Sequence, residues 1–378
     1  MTLKDEVVAE KETAALDATE RQLLKVKAVS EERRKEVARL QRHSLAVETE
    51  NDNLRAALDI VNSITAADPI VPKWAKPKAK NNKKHSATPV LMLSDLHLDE
   101  IVNPEEVQNI NCYNREIAEM RLTKVVDNTV DVLKTYVSGL DFDGFVLALG
   151  GDIMTGNIHE ELQITNHGTI MEGIVHWVPV IASAIEYIAD EMDVPLWIPC
   201  VRGNHDRYSK KKPSKQSAQE SFSWIIYHWL ADHFRGDDRV EFAISPSADL
   251  SFPIYNTDFV LTHGDQFSGG GGIAGIYSPI MRGQYKKQQR NASLGTPFDC
   301  MIMGHFHQLI WGQKIIVNGS LKGYDEYAFD HNFEYEEAKQ ALWIVTPEHG
   351  ITQQMPIFAE SENEPWKKQK KAAVGRKR

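Results

Sequence analysis

The chain has 378 residues, 25% of them charged and 42% hydrophobic, with a formal net charge of −10. That length supports one large core with smaller appendages, and the composition excludes a fibrous or wholly disordered protein. No apolar run reaches the ~20 residues of a membrane-spanning helix, the first residues lack a secretion signal's basic start and apolar stretch, and three scattered cysteines form no disulfide framework. The expectation is a cytoplasmic protein with no membrane partner and no cysteine chemistry.

Residues 1–66 contain no Pro and no Gly and are rich in Ala, Glu, Lys, Arg and Leu. One heptad row reads Val26, Arg33, Leu40, Val47, Leu54, Val61, and its partner row Leu16, Leu23, Ser30, Val37, Ser44, Asn51, Leu58. A coiled-coil period with polar interruptions predicts a helical extension that self-associates into a homo-oligomer. Residues 67–87 follow, rich in Pro and Lys, and read as a linker. A domain is expected over 88–358 and a basic disordered tail over 359–378. The charge is uneven: residues 73–84 hold six Lys and 366–378 seven Lys or Arg, with no acids in either. Without them the chain carries 30 basic against 53 acidic groups, so two basic segments flank an acidic body.

Within 88–358 the strand candidates are short and apolar: Pro89–Leu93, Gly144–Leu149, Val194–Cys200, Asp258–Leu261, Cys300–Met303 and Ile315–Val317. Amphipathic helical patterns lie between them, clearest at 115–137 and 171–192. Apolar strands alternating with such helices predict α/β layers with the sheet buried on both faces. Active sites form at the carboxyl ends of strands of this kind. Five polar motifs sit there: Asp95-Leu96-His97, Gly151-Asp152, Gly203-Asn204-His205-Asp206, His263-Gly264 and Gly304-His305-Phe306-His307.

Carboxylate, amide and imidazole groups are the donors that hold divalent cations. Hydrolysis of a phosphoester needs an activated water, neutralised phosphoryl oxygens and a stabilised leaving oxygen, and two cations ~3.5–4 Å apart answer all three needs. His305 and His307, one residue apart, point the same way on an extended segment and reach one cluster. Arg202 and Arg207 flank the Asn-His-Asp block and are candidates for a phosphate oxygen. After His263, Ser268 and four glycines are followed by no Gly-Lys-Ser/Thr, so this is no nucleotide loop. A mobile loop is expected there, with the basic stretch 282–290 beyond it.

These motifs resemble the calcineurin-like metallophosphoesterase superfamily over residues 88–320. Its blocks read here Ser94-Asp-Leu-His97, Gly150-Gly-Asp152, Gly203-Asn-His-Asp206, Thr262-His-Gly-Asp265 and Gly304-His-Phe-His307, closing on Asn318-Gly-Ser320. The resemblance implies a four-layer α-β-β-α sandwich with two divalent metal ions, Mn²⁺ first among Mn²⁺, Fe²⁺, Zn²⁺ and Mg²⁺. One metal would be held by Asp95, His97, Asp152 and His307, the other by Asp152, Asn204, His263 and His305. It makes His205 the group near the leaving oxygen and Asp206 the carboxylate that orients it.

Two departures bear on the branch. The Asp-Arg-Gly of Ser/Thr phosphatases is replaced by Gly151-Asp-Ile-Met-Thr-Gly156. The His that repair exonucleases carry three residues beyond the bridging Asp is Thr155. With two Lys-rich segments available for phosphates, the expectation is a phosphodiesterase or nuclease acting on DNA or RNA. A phosphomonoesterase is the alternative enzyme, and a scaffold that keeps the fold is the non-enzymatic one. Every expected ligand position is filled, which favours catalysis.

Overall fold

Short apolar runs bounded by Pro, Gly or Asp become the strands of the domain: β1 (Ser86–Leu93), β2 (Asp141–Phe142), β3 (Phe145–Leu149), β4 (Leu196–Cys200), β5 (Val240–Ile244), β6 (Asp249–Ile254), β7 (Thr257–Thr262), β8 (Cys300–Met303), β9 (Ile310–Trp311), β10 (Ile315–Val317), β11 (Lys339–Thr346) and β12 (Gly350–Phe358). The structure is a computed structural model and describes residues 33–45, 47–48, 51, 55, 69–77, 85–159, 162–267 and 275–360. The glycine-rich loop 268–274 and residues 361–378 of the expected tail lie outside the described residues. The helical segment 1–66 does so in large part. The tail's first two residues are held, Ala359 N donating to Ala338 O at 2.9 Å and Glu360 pairing with Arg121 at 2.6 Å.

Two sheets form. The first has the order β12-β11-β1-β3-β4-β5, with β2 beside β1, and the second β6-β7-β8-β10-β9. β1, β3, β4 and β5 run parallel, while β11 joins β1 antiparallel and carries β12. Every residue of β1, β3 and β4 is buried, as continuous apolar runs covered on both faces require. One core cluster joins Val90, Val146 and Trp197 of the first sheet to Phe252, Phe259 and Ile302 of the second, so these faces pack together.

The helices are α1 (33–45), α2 (Arg115–Asp131), α3 (Leu162–Thr165), α4 (Ile170–Met192), α5 (Phe222–His233), α6 (Tyr277–Ser293) and α7 (Glu326–Asp330). Asn114 caps α2 by accepting from Ile117 N. Thr169 and Glu172 form a capping box on α4, which ends where Asp193 turns left-handed. Leu122 of α2, Ile181 and Ile185 of α4 and Leu230 of α5 meet Leu147 and Leu149 of the first sheet. Ile280 of α6 meets Val260, Met301 and Val317, residues that alternate with those facing the shared core. None of the described helices is long and apolar enough to cross a membrane.

The chain divides into two units, residues 1–58 and 59–378. In the first, Val37, Leu40, Leu45 and Val47 are exposed. The segment 67–87, expected as linker, differs from that reading in two places. β1 starts inside it at Ser86, and residues 70–75 dock on the core. Val71 and Trp74 pack against the cluster between the sheets. The Trp197 indole donates to Ile70 O at 3.1 Å, and Tyr255 N to Ala75 O at 2.9 Å. Apolar side chains set among lysines hold this strap down.

Candidate metal centre

Strand register builds the site. Leu93 pairs with Leu149 and Leu149 with Cys200, so β1, β3 and β4 end level. In the second sheet Leu261 pairs with Ile302 and Met303 with Val317. The loops leaving these ends carry Asp95 and His97, Asp152, Asn204 and His205, His263, and His305 and His307. Bonds between the sheets join them: His305 N donates to Asp95 Oδ1 at 2.9 Å, and His263 Nδ1 lies 2.9 Å from Gly150 O.

The backbone there is strained. Asp95, His97, Asp152, His305 and His307 have φ of 53°, 48°, 51°, 72° and 54°, a left-handed region that non-glycine residues rarely occupy and functional sites often hold. Two glycines permit the close approach of the loops. A Cβ on Gly203 would stand 2.0 Å from Asp152 Oδ1, and one on Gly304 2.1 Å from Asp95 Oδ2.

The donor atoms converge. Asp95, His97 and His307 form one group with ligand atoms within 4.8 Å of one another, and Asp152, His263 and His305 another; His97, Asp152 and His205 link the two. Gly150 O can only accept, so His263 Nδ1 carries the hydrogen of the neutral ring and Nε2 a lone pair. That lone pair faces Asp152 Oδ2 and Asn204 Oδ1, each at 3.0 Å. Asp152 Oδ2, itself buried, has no hydrogen-bond donor. On the other side, His97 Nε2 lies 3.0 Å from His307 Nε2 and 3.9 Å from Asp152 Oδ2, and His307 Nε2 lies 3.4 Å from Asp95 Oδ1. Buried lone pairs facing one another across about 3 Å need a cation or protons between them. The donor set therefore fits divalent metals, with Asp152 between two sites.

Charge follows the geometry. Burial works to raise Asp152, yet His263 and His205 hold it well below the usual carboxylate range. Burial works to lower His263, and the Asp152 carboxylate outweighs it, lifting the ring to about 10. Burial and the charge of His263 take His305 down to about 4. Burial takes His205 down to about 3 against the pull of Asp152. Without metal, a proton on His263 occupies the place of a cation.

The seven expected ligands, Asp95, His97, Asp152, Asn204, His263, His305 and His307, come together here. His205 joins them, its ring 4.7 Å from that of His97, with Nδ1 3.0 Å from Thr155 O and its own N–H donating to Asp152 Oδ1 at 2.7 Å. Asp206 does not orient that ring. Its carboxylate accepts from Asp152 N at 2.8 Å, Met154 N at 3.1 Å and Gly203 N at 3.1 Å, which ties the β3 loop to the β4 loop.

The two arginines are likewise occupied. Arg202, 6% exposed, donates to Ser217 Oγ, Gly203 O and Asp265 Oδ2, each at 3.1 Å. Arg207 donates to Asn204 O at 2.6 Å and Ser209 O at 3.0 Å. They brace the loop. Asn318 and Ser320, the closing block, secure the β1 loop: Asn318 Nδ2 donates to Ser94 Oγ at 2.9 Å and Ser320 Oγ to Asp95 O at 3.0 Å. His159 is exposed with its ring 5.8 Å from that of His205, and the exposed His167 donates its backbone N–H to Asp99 O. His228 packs on Trp224, and His233 pairs with Glu186 at 2.9 Å, both on α5.

Sequence reasoning missed Glu100, Thr155 and Lys322. His97 Nδ1 lies 3.1 Å from Thr155 Oγ1 and 3.3 Å from Glu100 Oε2, and Lys322 Nζ donates to Glu100 Oε1 at 2.8 Å. Only the short spacings, three residues beyond His97 and three beyond Asp152, offered a signal.

No family model matches the chain, and no curated protein matches it. Among solved structures, it is similar to a conserved uncharacterized protein from Streptococcus pneumoniae, described as a predicted phosphoesterase. The identity is 14% and the TM-score 0.27, over 71% of this chain and 98% of that one. It is also similar to a sulfate thiohydrolase from Thermus thermophilus in complex with glycerol, at 10% identity and TM-score 0.29, over 78% of this chain and 61% of that one. The chain therefore spans less than two thirds of the length of the thiohydrolase. At such scores nothing about activity transfers from either.

Proposed function

We propose that the chain is a dinuclear metal-dependent phosphoesterase of the calcineurin-like superfamily, and that its substrate is a phosphodiester of DNA or RNA. The supporting observation is the meeting of His263 Nε2, Asp152 Oδ2 and Asn204 Oδ1 at 3.0 Å with no proton donor among them when the ring is neutral. The layers support the same reading, as a four-layer α-β-β-α sandwich. Asp95, His97, Asp152 and His307 would hold one metal, and Asp152, Asn204, His263 and His305 the other. Such cations supply Lewis acidity toward phosphoryl oxygens and lower the pKa of water, and Mn²⁺ suits this donor set.

The remaining chemistry belongs to the chain. With Nδ1–H directed at Thr155 O, His205 keeps its lone pair at Nε2. An entering phosphoryl anion favours uptake of a solvent proton at that nitrogen, and His205 would pass it to the leaving oxygen as the ester bond breaks. Asp206 acts through the backbone, holding Asp152 and Gly203 together.

The rim suits an anionic polymer. Lys210, Lys211 and Lys215 are exposed on the loop after Asn204. Arg207 pins that loop to Asn204 O, and Lys212 pins it to Asp265 Oδ2 at 2.5 Å. Polyanion contacts of this kind weaken steeply with salt. We also infer that α1 belongs to a coiled coil making the chain a homo-oligomer, since Val37 and Leu40 lie exposed on it.

Turnover of a phosphomonoester, a small diester, and single- and double-stranded DNA and RNA with Mn²⁺ tests the assignment. Diester and polymer cleavage is expected, with Asp152→Asn lowering it at least a thousandfold. A protein that leaves every nucleic acid intact while hydrolysing the monoester efficiently is instead a phosphomonoesterase. One inert toward all of them is a scaffold.

A further inference from the structure

His97 is held from behind, and its two ring nitrogens serve different neighbours. Nε2 faces His307 and Asp152, on the side of the metal-ligand cluster. Nδ1 lies 3.1 Å from Thr155 Oγ1 and 3.3 Å from Glu100 Oε2. The Thr155 hydroxyl donates to Glu100 Oε2, so a lone pair of Oγ1 remains for Nδ1. With acceptors at both neighbouring atoms, Nδ1 carries the hydrogen and Nε2 the lone pair.

Paired with Lys322, Glu100 accepts in this way as a carboxylate, and it is 7% exposed. Burial works against that charge. Lys322, 3% exposed, offsets this by donating to Glu100 Oε1 at 2.8 Å. Lys322 also pairs with Asp325. Its backbone is fixed in turn: Arg121 Nη1 donates to Leu321 O at 3.0 Å and Lys322 O at 2.6 Å, and Asn111 Nδ2 donates to Lys322 O at 2.9 Å. A buried ion pair is weak evidence for stability, because apolar side chains of similar volume fill such a space at least as well. Its place directly behind a ligand ring points to a different use.

We propose that Glu100, secured by Lys322 and bridged by Thr155, is the positioning residue that fixes His97 in the tautomer presenting Nε2 to the cation site shared with Asp95 and His307. The proposal rests on the metal-centre reading above. Partners behind a ligating histidine set ring orientation and basicity, and losing one typically weakens metal affinity 10–100-fold.

The test is calorimetric titration of metal-free protein with Mn²⁺, which reads the two sites separately and needs no turnover. Glu100→Gln is expected to weaken one site at least tenfold and leave the other as in the wild type. Lys322→Met should weaken the same site, because Glu100 then loses the partner that holds its carboxylate in place. Thr155→Val, which removes little besides the hydroxyl, should act in the same direction and decides the matter if the other variants do not fold. Wild-type affinity at both sites in folded Glu100→Gln and Thr155→Val would overturn the proposal. Equal weakening of both sites would do so too, since it signals a general loss of structure. A wild-type chain that binds no Mn²⁺ overturns the metal centre itself, a result distinct from either.

Discussion

Asp206 shows how one side chain can be read correctly as part of a site and wrongly in its task. A carboxylate next to a histidine in sequence suggests a partner for the ring. The turn after β4 instead aims it at three backbone N–H groups, and the ring faces Thr155 O. Asp206→Asn replaces an acceptor with a group that is partly a donor, leaving buried amides unmatched. We expect a loss of about 1–3 kcal/mol in the stability of metal-free protein, read from the shift in urea midpoint. The ligands were legible because hard donors at strand ends have few alternative uses. Glu100 and Lys322 were not, because their contact joins positions 222 residues apart and exists only after folding.

At the scale of elements, the six expected strands correspond to β1, β3, β4, β7, β8 and β10, whose apolar runs signal burial on both faces. β12 gave no such signal, being half exposed along most of its length. The strap at 70–75 was hidden by composition, since across 67–87 Pro and Lys outnumber the two side chains that anchor it. Trp74 is half-buried against the core and touches no ligand. Complete truncation of a buried Trp costs ~3–5 kcal/mol, so Trp74→Ala should cost about 2 kcal/mol. Thermal melting should record the drop, while Mn²⁺ affinity at 25 °C stays at the wild-type value.

For the whole molecule, metal and fold are thermodynamically linked. Ligands that bind only the native state stabilise it, by about 2.7 kcal/mol per site at a hundredfold excess over Kd. The melting temperature should therefore rise with Mn²⁺ and fall with chelator, and a melting curve indifferent to both would contradict the centre. Protons move the opposite way. His263, held up to about 10 by Asp152 against the effect of burial, is protonated in metal-free protein at pH 7.5 and must lose that proton to ligate. Mn²⁺ binding should release it, so the apparent enthalpy will track the ionisation enthalpy of the buffer, and affinity will decline as pH falls.

The place of β11 bears on how the protein is made. It is 246 residues behind β1 in the order of synthesis, counted from Ser94 to Gln340, yet it is the neighbour that accepts Ser94 N and orders Asn318 beside Asp95. A nascent chain that has extruded every ligand, His307 included, still lacks the strand that seats the first of them. Non-local pairing of this kind forms late. Closure of the centre therefore waits for β11, and cation capture becomes one of the last events in the folding of this domain.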